Sequence, residues 1–351
     1  MQFSYDCAPK KLYDENLILQ SRETMSQSQF DREFGAVFTD DSSGYFKTSR
    51  MAACTIVDGD SPSVEVAGDS KSKYLLSFDP SWAESESSDD FAMQVFKLDD
   101  EKKQGTLVHS YAMAGTNLKH HIDYFHYLLK NFNIVSMVGD YNGGVQFINA
   151  CNESKLFKDS NINIKMLTQD FDKPEEYQED LREAKTEYNI SDMKYCILRK
   201  PTSQWIRRAN ELLQANFDHK RMWFAARAMD DNYHNQIKKK IPIQKLKFLN
   251  IAEQEEKQSK GAKMIDFVEH QQDMINLTKA ECALIQIKTS PHGMQTFDLP
   301  DALKRTTGPN KARKDSYSAL VLGNWMVKIY YDMMGAEEAK AIQTFAPQFI
   351  N

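Results

Sequence analysis

YLLSFD, residues 74–79, is a short apolar run that ends on an aspartate, and the text after it decides the fold. FAMQVFKLD (91–99) and TLVHSYAMA (106–114) read as two more strands, and the charged DEKKQG between them closes an antiparallel hairpin. Asn117 caps a predicted helix to about Asn131, with Ile122, Phe125, Leu128 and Leu129 at helical spacing. IVSMVGD (134–140) is another buried strand, NGGVQFINACNES opens a second helix, and INIKMLTQD (162–170) is a fifth strand. The order strand, strand, strand, helix, strand, helix, strand predicts an α/β fold. Its mixed sheet is antiparallel at the start and parallel where helices link the strands.

Working outward, residues 19–46 read as a short helix and then a turn at Asp40 to Gly44. Asp58 to Lys73, rich in Ser, Gly and Asp, is a connection, which places a boundary near residue 65. Residues 1–65 are then an N-terminal connecting segment and 66–351 a single domain. On the other side, 171–192 are acidic and solvated, Met193 to Lys200 is strand-like, and helices are predicted at 203–217 and 260–288. Between those helices lie the strand-like RMWFAAR (221–227) and the basic IKKKIPIQKLKFL. A final, largely buried helix runs from Asp315 to Met334. Residues 171–290 form a helix-rich insertion ahead of it.

Hydrophobic residues are 41% and charged residues 27% of the 351, ordinary values for a globular protein. No stretch approaches the roughly eighteen apolar residues of a membrane span, and the amino terminus has no signal-like apolar run. The five cysteines form no CxxC pair, which excludes the usual zinc and dithiol signatures. A net charge of −6 argues against a protein that coats nucleic acid, but not against a nuclease whose site is itself acidic.

Three aspartates stand out by position. Asp79 closes the first strand, Asp140 closes the fourth, and Asp315 lies in the first turn of the last helix. Taken singly each has an ordinary use, as a turn former, a helix cap or a complement to the helix dipole. Together they have another, because the first and fourth strands of such a sheet can lie side by side and bring their carboxyl ends together. Crowded carboxylates repel, and a divalent cation relieves them; oxygen-only ligands favour Mg²⁺ or Mn²⁺ over zinc. With Asp315 packed over the strand ends, two ions could be held and a phosphodiester clamped for in-line hydrolysis.

FDPSW…SDDFAMQVF, VGDYNGG and RKDSYSALVLGNW resemble, in order and spacing, the three acidic motifs of tailed-phage terminase large-subunit nuclease domains. SQSQFDREFGAVFTDDSSGYF is similar to the segment that precedes them. The resemblance covers roughly 20–170 and 290–335, and implies a ribonuclease-H-like fold with Asp79, Asp140 and Asp315 on two Mg²⁺ or Mn²⁺ ions. It offers Asp89, in SDDFAM, as an auxiliary acid. It also implies cutting of double-stranded DNA during genome packaging in the cytoplasm of an infected bacterium, with a packaging ATPase, a portal and a small terminase subunit as partners. The chain departs from the family in carrying no GxxxxGK[ST] phosphate loop, so no ATPase is expected in it.

Arg313 and Lys314, next to Asp315, are the foremost expected phosphate contacts, followed by Lys311 and Arg305. Arg207, Arg208, Lys238 to Lys240, Lys245 and Lys247 read equally well as a solvated face. His121 and His126 lack the i, i+4 spacing of a helical metal pair, and His292 reads as a loop residue. Two other readings share the sequence. One is a different ribonuclease-H-like nuclease, such as a junction resolvase or a transposase-like enzyme; the other is a non-catalytic docking module of a packaging motor.

Overall fold

A computed structural model describes residues 14–25, 44–57, 62–81, 88–114, 117–167, 194–226, 260–289, 295–304 and 312–345, with Phe30, Phe34 and Asp60 singly between them. The acidic segment 171–192, the basic run Lys238 to Lys247 and His292 lie outside the described residues.

The core is a seven-stranded sheet in the order β5–β6–β4–β1–β2–β3–β7. β1 (Tyr74–Asp79), β2 (Phe91–Asp99) and β3 (Gln104–Met113) form an antiparallel meander, as the hairpin pattern predicts. β4 (Ile134–Asp140) lies parallel to β1, and β6 (Lys194–Arg199) and β5 (Ile164–Leu167) extend the sheet in parallel beyond it. β7 (Met222–Phe224) joins the other edge, parallel to β3. An antiparallel meander whose first strand takes helix-linked parallel neighbours is the ribonuclease-H-like arrangement. It places β1 and β4 at the centre, covered on both faces.

Side-chain alternation sorts the sheet into two faces. On one, Phe78 and Phe91 meet Phe125 of α3 (Leu118–Asn131) and Phe147 of α4 (Tyr141–Glu153), with ring centroids between 4.7 and 5.5 Å. Phe157 of the short α5 (Lys155–Asp159) completes this aromatic layer. Each such ring, taken wholly out of water, contributes about 1.5–3 kcal/mol. Asn117 caps α3 by accepting the His120 N–H at 3.1 Å.

The opposite face receives α9 (Asp315–Phe345), flanked by α6 (Ser203–Asp218) and α7 (Lys260–Leu284). α9 approaches the sheet so closely that a Cβ on Gly323 would lie 2.2 Å from the Phe96 ring. Ser77 of β1 donates its hydroxyl to the Ala319 carbonyl at 2.7 Å, fixing the helix along the strand.

Several boundaries differ from expectation. The helix predicted over 260–288 ends at Leu284, and β8 (Gln286–Thr289) pairs antiparallel with β9 (Gln295–Asp298). Alternation in IQIKT favours a strand once a partner is in place. α9 runs past Met334 to Phe345, and α8 (Asp301–Lys304) is a single turn. Near the amino terminus, α1 (Glu15–Thr24) precedes α2 (Thr48–Ala53), which no periodicity announced. The chain then bridges the sheet edge at Thr55–Phe224 and Ser63–Ala226, and Phe46, Met51 and Cys54 are buried in the core. Among the described residues no helix is long and apolar enough to cross a membrane.

Candidate metal centre

The register of β1 on β4 matches Ser77 with Val138 and Phe78 with Gly139. One residue further along, Asp79 and Asp140 stand at adjacent strand ends, about 4.8 Å apart at the backbone and directed to the same face. Ser77, two residues before Asp79, contacts α9, so this is the face that α9 covers. Asp140 also caps α4, accepting the Asn142 N–H at 2.7 Å. The turn behind it needs Gly143, whose φ of 84° an L side chain rarely adopts. Local sequence thus fixes the Asp140 carboxylate at the start of α4, next to the end of β1.

Asp315 begins α9. Its Oδ2 accepts the backbone N–H of Asp90 at 2.7 Å, which ties the helix start to the loop ahead of β2. Asp79 lies close enough to Asp315 and Asp140 to feel both charges. Burial, then the negative charge of Asp315 and of Asp140, push its carboxyl well above the ordinary aspartate range, against partial relief from the Ser318 hydroxyl and Lys314. Burial pushes Asp140 up to about 6. Asp79 therefore lies within electrostatic range of Asp140 at the end of β4 and of Asp315 at the start of α9, and like charges at that range raise its carboxyl.

As the side chains stand, no three His, Cys, Asp or Glu among the described residues form a group that could hold a metal ion. Asp140 and Asp315 each accept a backbone N–H in this arrangement. The donor set is nevertheless all oxygen and short of positive charge, which is the chemistry of a hard divalent cation.

Of the other expected site residues, Asp89 is exposed and its neighbour Asp90 is buried. Arg313 turns inward, donating Nε–H to the Ser88 carbonyl at 3.0 Å and pairing with Asp90 at 3.5 Å. Lys314 is partly exposed and pairs with Asp298 at 3.0 Å. Arg305 and Lys311 lie outside the described residues. His121 is buried against Tyr111, and His126 bonds Ser160, both away from the carboxylates.

Two residues emerge that the pattern of the sequence did not single out. Arg199 ends β6 in register with Asp140, buried with its guanidinium 5.3 Å from the centre of the Trp205 ring. Glu281, on α7, is buried behind Asp315, and burial raises its carboxyl to about 8, with the charges of Asp315 and Asp90 adding to the shift. Neither belongs to an acidic motif, and only chain packing from a distance brings them here.

Solved structures similar to this chain are large terminase nucleases. That of thermophilic phage G20c matches at 9% identity over 79% of this chain and 95% of its own, with a TM-score of 0.41. The same nuclease with bound magnesium matches at 10% identity, over 81% and 98%, at 0.40. The nuclease domain of the large terminase subunit gp2 of bacterial virus Sf6 matches at 11%, over 80% and 97%, at 0.36. No family model and no curated protein matches the sequence. Identities and scores this low leave the chemistry to this chain's own residues.

Proposed function

We propose that this chain is a metal-dependent endonuclease that cuts double-stranded DNA during viral genome packaging, with Asp79, Asp140 and Asp315 as the ligands of two Mg²⁺ or Mn²⁺ ions. The observation that carries the reading is the register that sets Asp79 and Asp140 at adjacent ends of β1 and β4, on the face covered by the helix that Asp315 begins. A fold gains nothing in stability from crowding three carboxylates, so their convergence is explained by a cation they hold.

Bound there, divalent ions would supply positive charge to the scissile phosphate and acidify the attacking water. The protein's part is placement. β1 and β4 end side by side on Asp79 and Asp140, α9 begins with Asp315, and these three carboxylates would hold the ions. Lys314 stands beside this cluster as a phosphate contact, while Arg313 serves the site by holding the loop at Ser88 to Asp90. Duplex DNA is the substrate on this reading, and a packaging ATPase, portal and small terminase subunit are the partners, in the cytoplasm of the infected bacterium.

The experiment is digestion of supercoiled plasmid by the full chain with Mn²⁺, with Mg²⁺ and with chelator, beside Asp140→Ala. Metal-dependent cutting that the substitution abolishes is expected. No cutting by the native chain with either ion, or equal cutting by the variant, overturns the assignment. Preference for a four-way junction over linear duplex would point to a resolvase instead.

A further inference from the structure

The first N–H groups of a helix have no acceptor within the helix, and a Ser, Thr, Asp or Asn just before it commonly supplies one. α9 begins at Asp315, and the residue before it is Lys314, whose side chain has donors only. The missing acceptor comes from another helix. Glu281 of α7 accepts the Tyr317 N–H through Oε2 at 3.0 Å. Its Oε1 is buried and finds no hydrogen-bond partner among the described residues.

One turn earlier on α7, Thr278 accepts from Gln94 Nε2 of β2 at 3.1 Å, and the same amide donates to the Ser316 carbonyl at 2.9 Å. The Ser316–Tyr317 peptide group is therefore gripped at both its carbonyl and its N–H from outside its own helix. Tyr317 is further tied by its hydroxyl to Asn210 of α6.

We propose that Glu281 is a positioning residue: it caps α9 from a separate helix and so sets the direction in which Asp315 presents its carboxylate to metal. This rests on the nuclease reading above. It gives α7, and with it the insertion before the last helix, a place in the active-site scaffold. An oxygen acceptor suits the N–H end of a helix, and its distance in sequence lets packing of α7 decide whether the site is assembled.

Mn²⁺ binding by calorimetry, on the full chain, tests this without reference to activity. Glu281→Ala is expected to weaken Mn²⁺ binding by about tenfold or more, the usual scale for loss of a group that orients a ligand. Glu281→Gln, whose carbonyl still accepts the N–H, is expected to stay within about threefold of native. Ile275→Ala, a buried change on the same helix, should lower Tm and leave Mn²⁺ affinity unchanged. Native-like affinity in Glu281→Ala overturns the proposal, as does a Gln variant as weak as Ala, which would make Glu281 itself a ligand. If the Ala variant does not fold, Glu281→Asp, one methylene too short, takes its place with the same expected loss, and native-like affinity again overturns the idea. A native chain that binds Mn²⁺ no better than Asp140→Ala overturns the nuclease reading and this one with it.

Discussion

The backbone N–H of Asp90 donates to Oδ2 of Asp315 at 2.7 Å, across 225 positions of sequence. That single bond joins the loop before β2 to the start of the last helix. Arg313 reinforces it by reaching the Ser88 carbonyl and the Asp90 carboxylate from two residues before Asp315. Loop and helix start therefore move as one unit, and the third carboxylate is only as well placed as the loop.

Arg313→Ala should loosen that unit. It removes the guanidinium from a mostly buried carboxylate, which costs on the order of 3 kcal/mol when a buried pair loses one member. Arg313→Lys should recover part of this, because a point charge cannot both donate to Ser88 and face Asp90 as a planar guanidinium does. Urea melts of the three proteins measure it. An Ala variant as stable as native would show that Arg313 is not holding the loop.

Asp140→Asn should stabilise the metal-free protein while abolishing cutting. The Asp140 carboxyl in the fold sits at about 6, above its ordinary 3.8. A raised value means the folded state binds the proton more tightly, so the favourable contribution is full below about pH 4 and lost as pH rises through about 6. At neutral pH without metal the charge is a burden, and asparagine, which still caps α4, removes it. Allowing for the half-exposure of the group, the gain is roughly 1–2 kcal/mol in chelator near pH 7.5, fading towards pH 4. Calorimetric Tm against pH checks the sign.

Acid should act oppositely on two buried histidines. Burial lowers His109 to about 4 and His121 to about 3, from an ordinary 6.5. Their contribution is present above about pH 6.5 and lost as pH falls towards about 4 and then about 3. Each histidine should contribute a fall of roughly 3 kcal/mol between pH 7 and pH 4, read for His109 as the difference in pH profile between the Asp140→Asn protein and the same protein with His109→Phe added. A pH profile that His109→Phe leaves unchanged would mean that burial does not keep the ring neutral.

Gly323→Ala tests the seating of α9. The new Cβ would meet the Phe96 ring at 2.2 Å and the Ser77 hydroxyl at 2.9 Å, so helix or strand must shift. Overpacking of this kind costs about 1–3 kcal/mol. Because Asp315 rides on the same helix, cutting should drop by more than the unfolded fraction explains, which parallel melting and plasmid assays would reveal. Unchanged cutting in a folded variant would place the helix start under other control.

Local pattern made much of this chain legible. Strand-length apolar runs, one charged hairpin turn and an Asn cap were enough for β1 to β4 and α3, because those elements depend on neighbours in sequence. The same pattern marked Asp79 and Asp140, since the end of a strand is written where the apolar run stops. It failed at 260–288, where the alternation of IQIKT acquires meaning only when β9 arrives to pair with it.

Sequence alone thus determined β1 to β4 and α3, and that Asp79 and Asp140 would stand at strand ends. Tertiary structure decided what faces those acids: Asp90 rather than Asp89 on the buried side, Arg313 turned inward, and Glu281 capping a helix it does not belong to. The physical reason is range. A periodicity of two or 3.6 residues fixes the direction of a side chain within its own element, whereas hydrogen-bond partners dozens to hundreds of residues apart are chosen by how whole elements pack.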